Sequence, residues 1–132
     1  MKIQHIASLL SLASVLALAA CNSEREVETK GEVSLPAGSS AQAVLVEFYD
    51  IPKEEGAAEK KVDTLTMDTP GAFTRKVSVE GDKIRIVALA DADKDGKCTQ
   101  GEAWASAELR IKEDDTIEAP AVLALKALDC PK

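Results

Sequence analysis

The chain has 132 residues, 45% of them hydrophobic, which is enough for one domain with a core and too few for two. Aromatic side chains are scarce: Phe48, Tyr49, Phe73 and Trp104 are the whole set. A formal charge of −7 argues against nucleic acid as a partner, which needs a basic surface, and suits an acidic, cation-exposed one.

Residues 1–20 read as a targeting segment and stand outside the fold. Lys2 gives a positive start, and Ile6–Leu18 is apolar apart from its serines. That run falls short of the ~20 apolar residues of a membrane-spanning helix. It ends in Leu18-Ala19-Ala20-Cys21, which resembles a bacterial lipobox. The resemblance implies that Cys21 is lipidated and becomes the first residue of the mature chain, anchoring it to a membrane. Each buried methylene of an acyl chain contributes ~0.8 kcal/mol, so several chains anchor stably. Asn22, in place of an aspartate, is similar to what Gram-negative outer-membrane lipoproteins carry, and implies an outer-membrane location facing the periplasm or the cell surface. The alternative is an ordinary secretory signal with a chance cysteine. Cleavage would remove Lys2 and the sole histidine, His5, leaving fifteen basic against 23 acidic residues and a charge of −8.

Residues 21–30 are polar and charged and read as a lipidated flexible tether to a domain over 31–132. From there the hydrophobic period is two. Gly31–Leu35 sets Val33 and Leu35 on one face, and Pro36–Ser40 is a turn cluster. Ala43–Tyr49 is a strong strand by its branched and aromatic content. Ile51–Lys61, with Pro52, Gly56 and its charges, is a solvated loop. Val62–Met67 is a weaker strand, and Asp68–Gly71 is a turn. Phe73–Val79 puts Phe73, Val77 and Val79 on one face, with Arg75 as the exception. After the Glu80-Gly81-Asp82 turn, Lys83–Ala90 alternates Ile84, Ile86 and Ala88 with Arg85, Val87 and Leu89.

That strand runs into Asp91–Glu102, DADKDGKCTQGE, which fits the pattern D-x-[DN]-x-[DN]-G-x5-E at every constrained position. The spacing suits calcium, which takes six to eight hard oxygen ligands from a chain curled around it. Asp91, Asp93 and Asp95 converge from alternate positions, and Gly96 permits the sharp turn. The Lys97 carbonyl, Thr99 and a two-oxygen Glu102 complete a shell for one Ca2+. The segment resembles an EF-hand loop over its twelve residues. Magnesium, which prefers a compact six-coordinate shell, is the lesser candidate. The alternative is a metal-free solvated hairpin, since Asp and Gly favour turns by themselves and Lys94 and Lys97 partly neutralise the loop.

An EF-hand would continue as a helix. Here Ala103, Ala105, Ala107, Leu109 and Ile111 alternate with Trp104, Ser106, Glu108, Arg110 and Lys112. Alanine favours helix, but the period is that of a half-buried strand, with Trp104 the one apolar outward residue. Lys112–Asp115 is a polar turn, Ile117–Pro120 a short edge segment, and Ala121–Leu128 the last strand, with a short helix as its alternative. About seven short strands with turns between them make an all-β fold, a single antiparallel β-sandwich. Through Val44–Tyr49 and Lys83–Trp104 the domain resembles transthyretin-like (prealbumin-like) sandwiches, and immunoglobulin-like ones share the pattern.

With Cys21 lipidated, Cys98 and Cys130 form an even pair in an exported domain, which predicts a disulfide. Two cysteines without histidine do not make a zinc site. The functional expectation is a non-enzymatic, lipid-anchored envelope protein whose loop 91–102 binds calcium structurally. The alternative is a metal-free surface module for a protein or glycan partner, with Trp104 nominated as its contact. Without a mature histidine or a nucleophile motif, catalysis is the weakest reading.

Overall fold

The structure is a computed structural model and describes residues 24–39, 43–91, 94–99, 101–127 and 130. The strands are β1 (Arg25–Ser34), β2 (Val44–Ile51), β3 (Lys60–Met67), β4 (Ala72–Val79), β5 (Lys83–Leu89), β6 (Ala103–Arg110), β7 (Ala121–Ala124) and β8 (Lys126–Ala127). They form two sheets, ordered β4-β1-β7 and β3-β2-β5-β6-β8, and among the described residues there is no helix. The lipobox cysteine, Cys21, lies outside the described residues.

Period-two alternation builds both sheets, because successive side chains leave a strand on opposite faces. Val44, Val46 and Phe48 of β2 and Ile84, Ile86 and Ala88 of β5 are fully buried on the inner face of the larger sheet. Val27 and Val33 of β1, Phe73, Val77 and Val79 of β4, and Ala121 and Leu123 of β7 face them from the smaller sheet. Phe48 and Phe73 meet edge to face across the two layers, with ring centroids 5.9 Å apart. Such a contact contributes ~0.5–1.5 kcal/mol beyond area burial. Gly31 makes room for it, since a Cβ there would sit 2.6 Å from Phe73 Cζ. Thr29 is buried and satisfied, its hydroxyl donating to the Arg75 carbonyl at 2.6 Å.

Three features differ from the sequence expectation. The segment expected to be a tether through Lys30 is already strand from Arg25, because Val27 and Thr29 turn inward while Glu26, Glu28 and Lys30 stay in solvent. β1 pairs antiparallel with β4 but parallel with β7, so the sandwich is not purely antiparallel. The last strand is split at buried Leu125 into β7 in one sheet and β8 in the other. The alternating run after the acidic loop is strand β6, as its period predicts. Ile117 bridges Ile111 at its end.

The end of the sandwich where β5 starts is pinned by a buried carboxylate. Asp50 accepts hydrogen bonds from the backbone N–H of Glu80 at 2.8 Å and of Gly81 at 3.0 Å. Arg25 donates to the Gly81 carbonyl at 2.6 Å and pairs with Asp115 at 2.9 Å. A Cβ on Gly81 would fall 2.0 Å from the Ile51 carbonyl oxygen, so only glycine fits. The acidic loop lies at the opposite end, about 20 Å away by the rise of β5.

Candidate functional site

The acidic loop is held at its neck by the sheet. Ala90 is buried, and its N–H donates to the Ala103 carbonyl at 2.8 Å, so residues 91–102 bridge β5 and β6. Within the loop the backbone folds back on the carboxylates. The Gly96 N–H donates to Asp91 Oδ2 at 2.7 Å, and the Lys97 N–H to Asp95 Oδ1 at 2.8 Å. The Thr99 N–H donates to Glu102 Oε2 at 2.9 Å, and the Glu102 N–H returns to the Thr99 carbonyl at 3.0 Å. Lys94, Gly96 and Gly101 take left-handed φ values of 58°, 73° and 95°. Gly96 turns where the pattern requires it, while Lys94 adopts this conformation without glycine's freedom.

The described part of the loop therefore brings Asp91, Asp95 and Glu102 back over their own backbone, with Lys97 and Thr99 exposed between them. Asp91 Oδ1 is shielded from solvent. Asp93, the middle carboxylate of the pattern, lies outside the described residues. Among those described, no three acidic, thiol or imidazole groups gather into a metal cluster. The donor set itself is carboxylate, carbonyl and hydroxyl oxygen, the chemistry of a hard divalent cation such as calcium.

Cys98, at the eighth position of the loop, forms a disulfide with Cys130, their Cα atoms 5.7 Å apart. The bond ties the outer arm of the loop to the segment after β8. This arm overhangs the outer face of the larger sheet. Register sets that face in rows. Nearest the loop run Thr66, Leu45, Leu89, Trp104 and Lys126. Behind them come Thr64, Glu47, Val87 and Ser106, and then Lys61, Tyr49, Arg85 and Glu108. The face thus passes from apolar under the loop to charged away from it. Trp104 is on the outer face, as its parity predicts, and is half-buried.

Between this face and the Gly96–Cys98 arm is a cavity of about 390 Å³. Leu45, Val87, Leu89 and Trp104 line its apolar side, and Glu47, Tyr49 and Lys61 its polar side. The polar cluster carries no sequence motif of its own, although the alternation of β2 places Leu45, Glu47 and Tyr49 on one face. Lys61 Nζ donates to Glu47 Oε2 at 2.7 Å, and the Tyr49 hydroxyl donates to the same oxygen. Burial pushes the Glu47 carboxyl up, but the Lys61 and Tyr49 hydrogen bonds outweigh it and hold it below its ordinary range. Burial, and then the anionic Glu47 beside it, push the Tyr49 phenol up to about 12. Comparison of the chain with protein-family models, with curated proteins and with solved structures finds no match.

Proposed function

We propose that this chain is a lipid-anchored, non-enzymatic envelope protein, of transthyretin-like or immunoglobulin-like sandwich type, whose Asp91–Glu102 loop binds one calcium ion structurally. The observation that carries the reading is the loop's ligand pattern, set in register between two core strands with its neck closed by the Ala90–Ala103 hydrogen bond. Asp91, Asp93, Asp95, the Lys97 carbonyl, Thr99 and Glu102 would hold the ion, which would neutralise their charge and fix the arm above the sheet. The anchor would be Cys21, and β1 begins at the end of the sandwich opposite the loop, which supports a loop turned away from the membrane.

Thermal melts of the chain from Asn22 onward, which contains every described residue, test the ion. An ion that binds the native state alone raises stability by ~2.7 kcal/mol at one hundred times its Kd. Calcium is expected to raise the melting temperature over chelator, magnesium to do so less, and Glu102→Gln to abolish the rise. Identical melts in all conditions would reduce the loop to a solvated hairpin. A second reading, a metal-free module that holds a protein or glycan, is favoured by the half-buried position of Trp104 beside a cavity. It predicts that Trp104→Ala loses captured partners while stability stays intact.

A further inference from the structure

We propose that the cavity under the loop is a binding site for a small amphipathic monoanion, with an apolar body and one carboxylate-like head. Its volume, about 390 Å³, is in the range of ligand sites, ~300–1,000 Å³, and it has their composition, an apolar lining with a few convergent polar groups. Leu45, Val87, Leu89 and Trp104 take the apolar body. The head is selected by charge. Glu47 is already matched by Lys61 and Tyr49, so it does not demand a cation. Lys61 spends one of its three donors on Glu47 and is about half exposed, 51%, at the polar end. Lys97 rims the opposite wall, and among the described residues no carboxylate pairs with its ammonium. Within the lining Lys61 offsets Glu47, which leaves the Lys97 ammonium to meet an anionic head.

The site is coupled to the ion, and this coupling, unlike the cavity, rests on the calcium reading above. By sequence, residues 91–102 hold four carboxylates and two lysines, Lys97 among them, a charge of −2 that opposes an anionic head. A bound divalent cation brings the loop to neutrality and fixes the Gly96–Cys98 wall. Calcium should then raise anion affinity, and the anion must raise calcium affinity by the same factor.

Octanoate is the probe, and the fluorescence of Trp104, the sole tryptophan, is the readout. Titrations use the chain from Asn22, in calcium and in chelator, with octanol and octylammonium for comparison. Octanoate is expected to saturate and to bind at least ~10-fold more tightly than either comparison ligand, a difference of one decade in Kd. Lys97→Gln should narrow that preference, and Val87→Glu, which sets a second carboxylate opposite Glu47 on the outer face, should abolish binding in a chain that still melts cooperatively, at a lower temperature. Equal binding of octanol or octylammonium would overturn the proposal, as would a Val87→Glu variant that still binds octanoate or the lack of any saturable response. Selective octanoate binding that is the same in chelator and in calcium keeps the cavity and removes the coupling. A calcium-dependent melt without octanoate binding removes the cavity and leaves the ion.

Discussion

The two ends of this sandwich solve the same problem, the closing of turns between core strands, by opposite means. At the Gly81 end the carboxylate is buried: Asp50 takes two backbone N–H groups, and the backbone approach admits no side chain. At the loop end the carboxylates lie nearer solvent, each described one bonded to a nearby N–H, and a disulfide supplies the tie. The first arrangement has satisfied its anion internally and needs nothing more. The second holds several like charges in one short segment, and like charges gathered together lower stability unless a cation offsets them. The two ends thus differ in where their carboxylates sit, beneath a buried turn at one and nearer solvent at the other.

Breaking the Gly81 end should cost most. Gly81→Ala drives a Cβ into the Ile51 carbonyl and displaces both N–H groups from Asp50, so a loss of more than ~4 kcal/mol in urea unfolding is expected. A loss under ~1 kcal/mol would mean the turn relaxes and the two ends are alike. Next, replacing Cys98 and Cys130 together by serine should cost roughly 3–4 kcal/mol by the entropy of the loop they close. Hydrogen exchange should then quicken at Gly96, Lys97 and Thr99 and stay slow at Glu80 and Gly81. Equal quickening at both ends would show that the disulfide serves the whole fold rather than the loop.

The pH dependence is a smaller effect. Asp63 is held below its ordinary 3.8 by its Arg75 hydrogen bond, and Glu47 below its ordinary 4.5. Both contributions are complete above those values and fade as pH falls through the lower folded ones, so acid unfolding should begin later in the wild type than in Glu47→Gln. Tyr49 works in the other direction. Its contribution is complete below pH 10.0 and is lost as pH rises towards 12. Ultraviolet titration of the phenol, the chain's sole tyrosine, should place its midpoint near 12, and a midpoint near 10 would dissolve the Glu47–Tyr49–Lys61 cluster.

Much of this architecture can be read from residue order, because burial on one face imposes period two. Alanine's preference for helix loses to that period in β6, where Ala103, Ala105 and Ala107 pack against the core with Leu109. The carboxylate spacing of the loop is equally legible, since it is local. What is hidden depends on partners distant in sequence. Nothing in Arg25–Ser34 says that it pairs parallel with Ala121–Ala124, and the charged residues Glu26, Glu28 and Lys30 mask Val27 and Thr29 between them. The polar cluster is hidden for a related reason. A bulge shifts the β2–β3 register between Phe48 and Tyr49, and that shift brings Lys61 opposite Tyr49. Alternation specifies faces, while registers and neighbours are settled only in the assembled sheet.

The parallel pairing of β1 with β7 also sets the order in which this protein can be made. β1 stands between β4 and β7, so the first strand of the smaller sheet keeps an open edge until residue 121 has been synthesised. Contacts of such long sequence separation must close a large loop before they stabilise anything, which makes folding slow. A chain made from its N-terminus therefore lacks one partner of β1 for most of its synthesis. It would complete its smaller sheet, and join Cys98 to Cys130, only when its last dozen residues arrive.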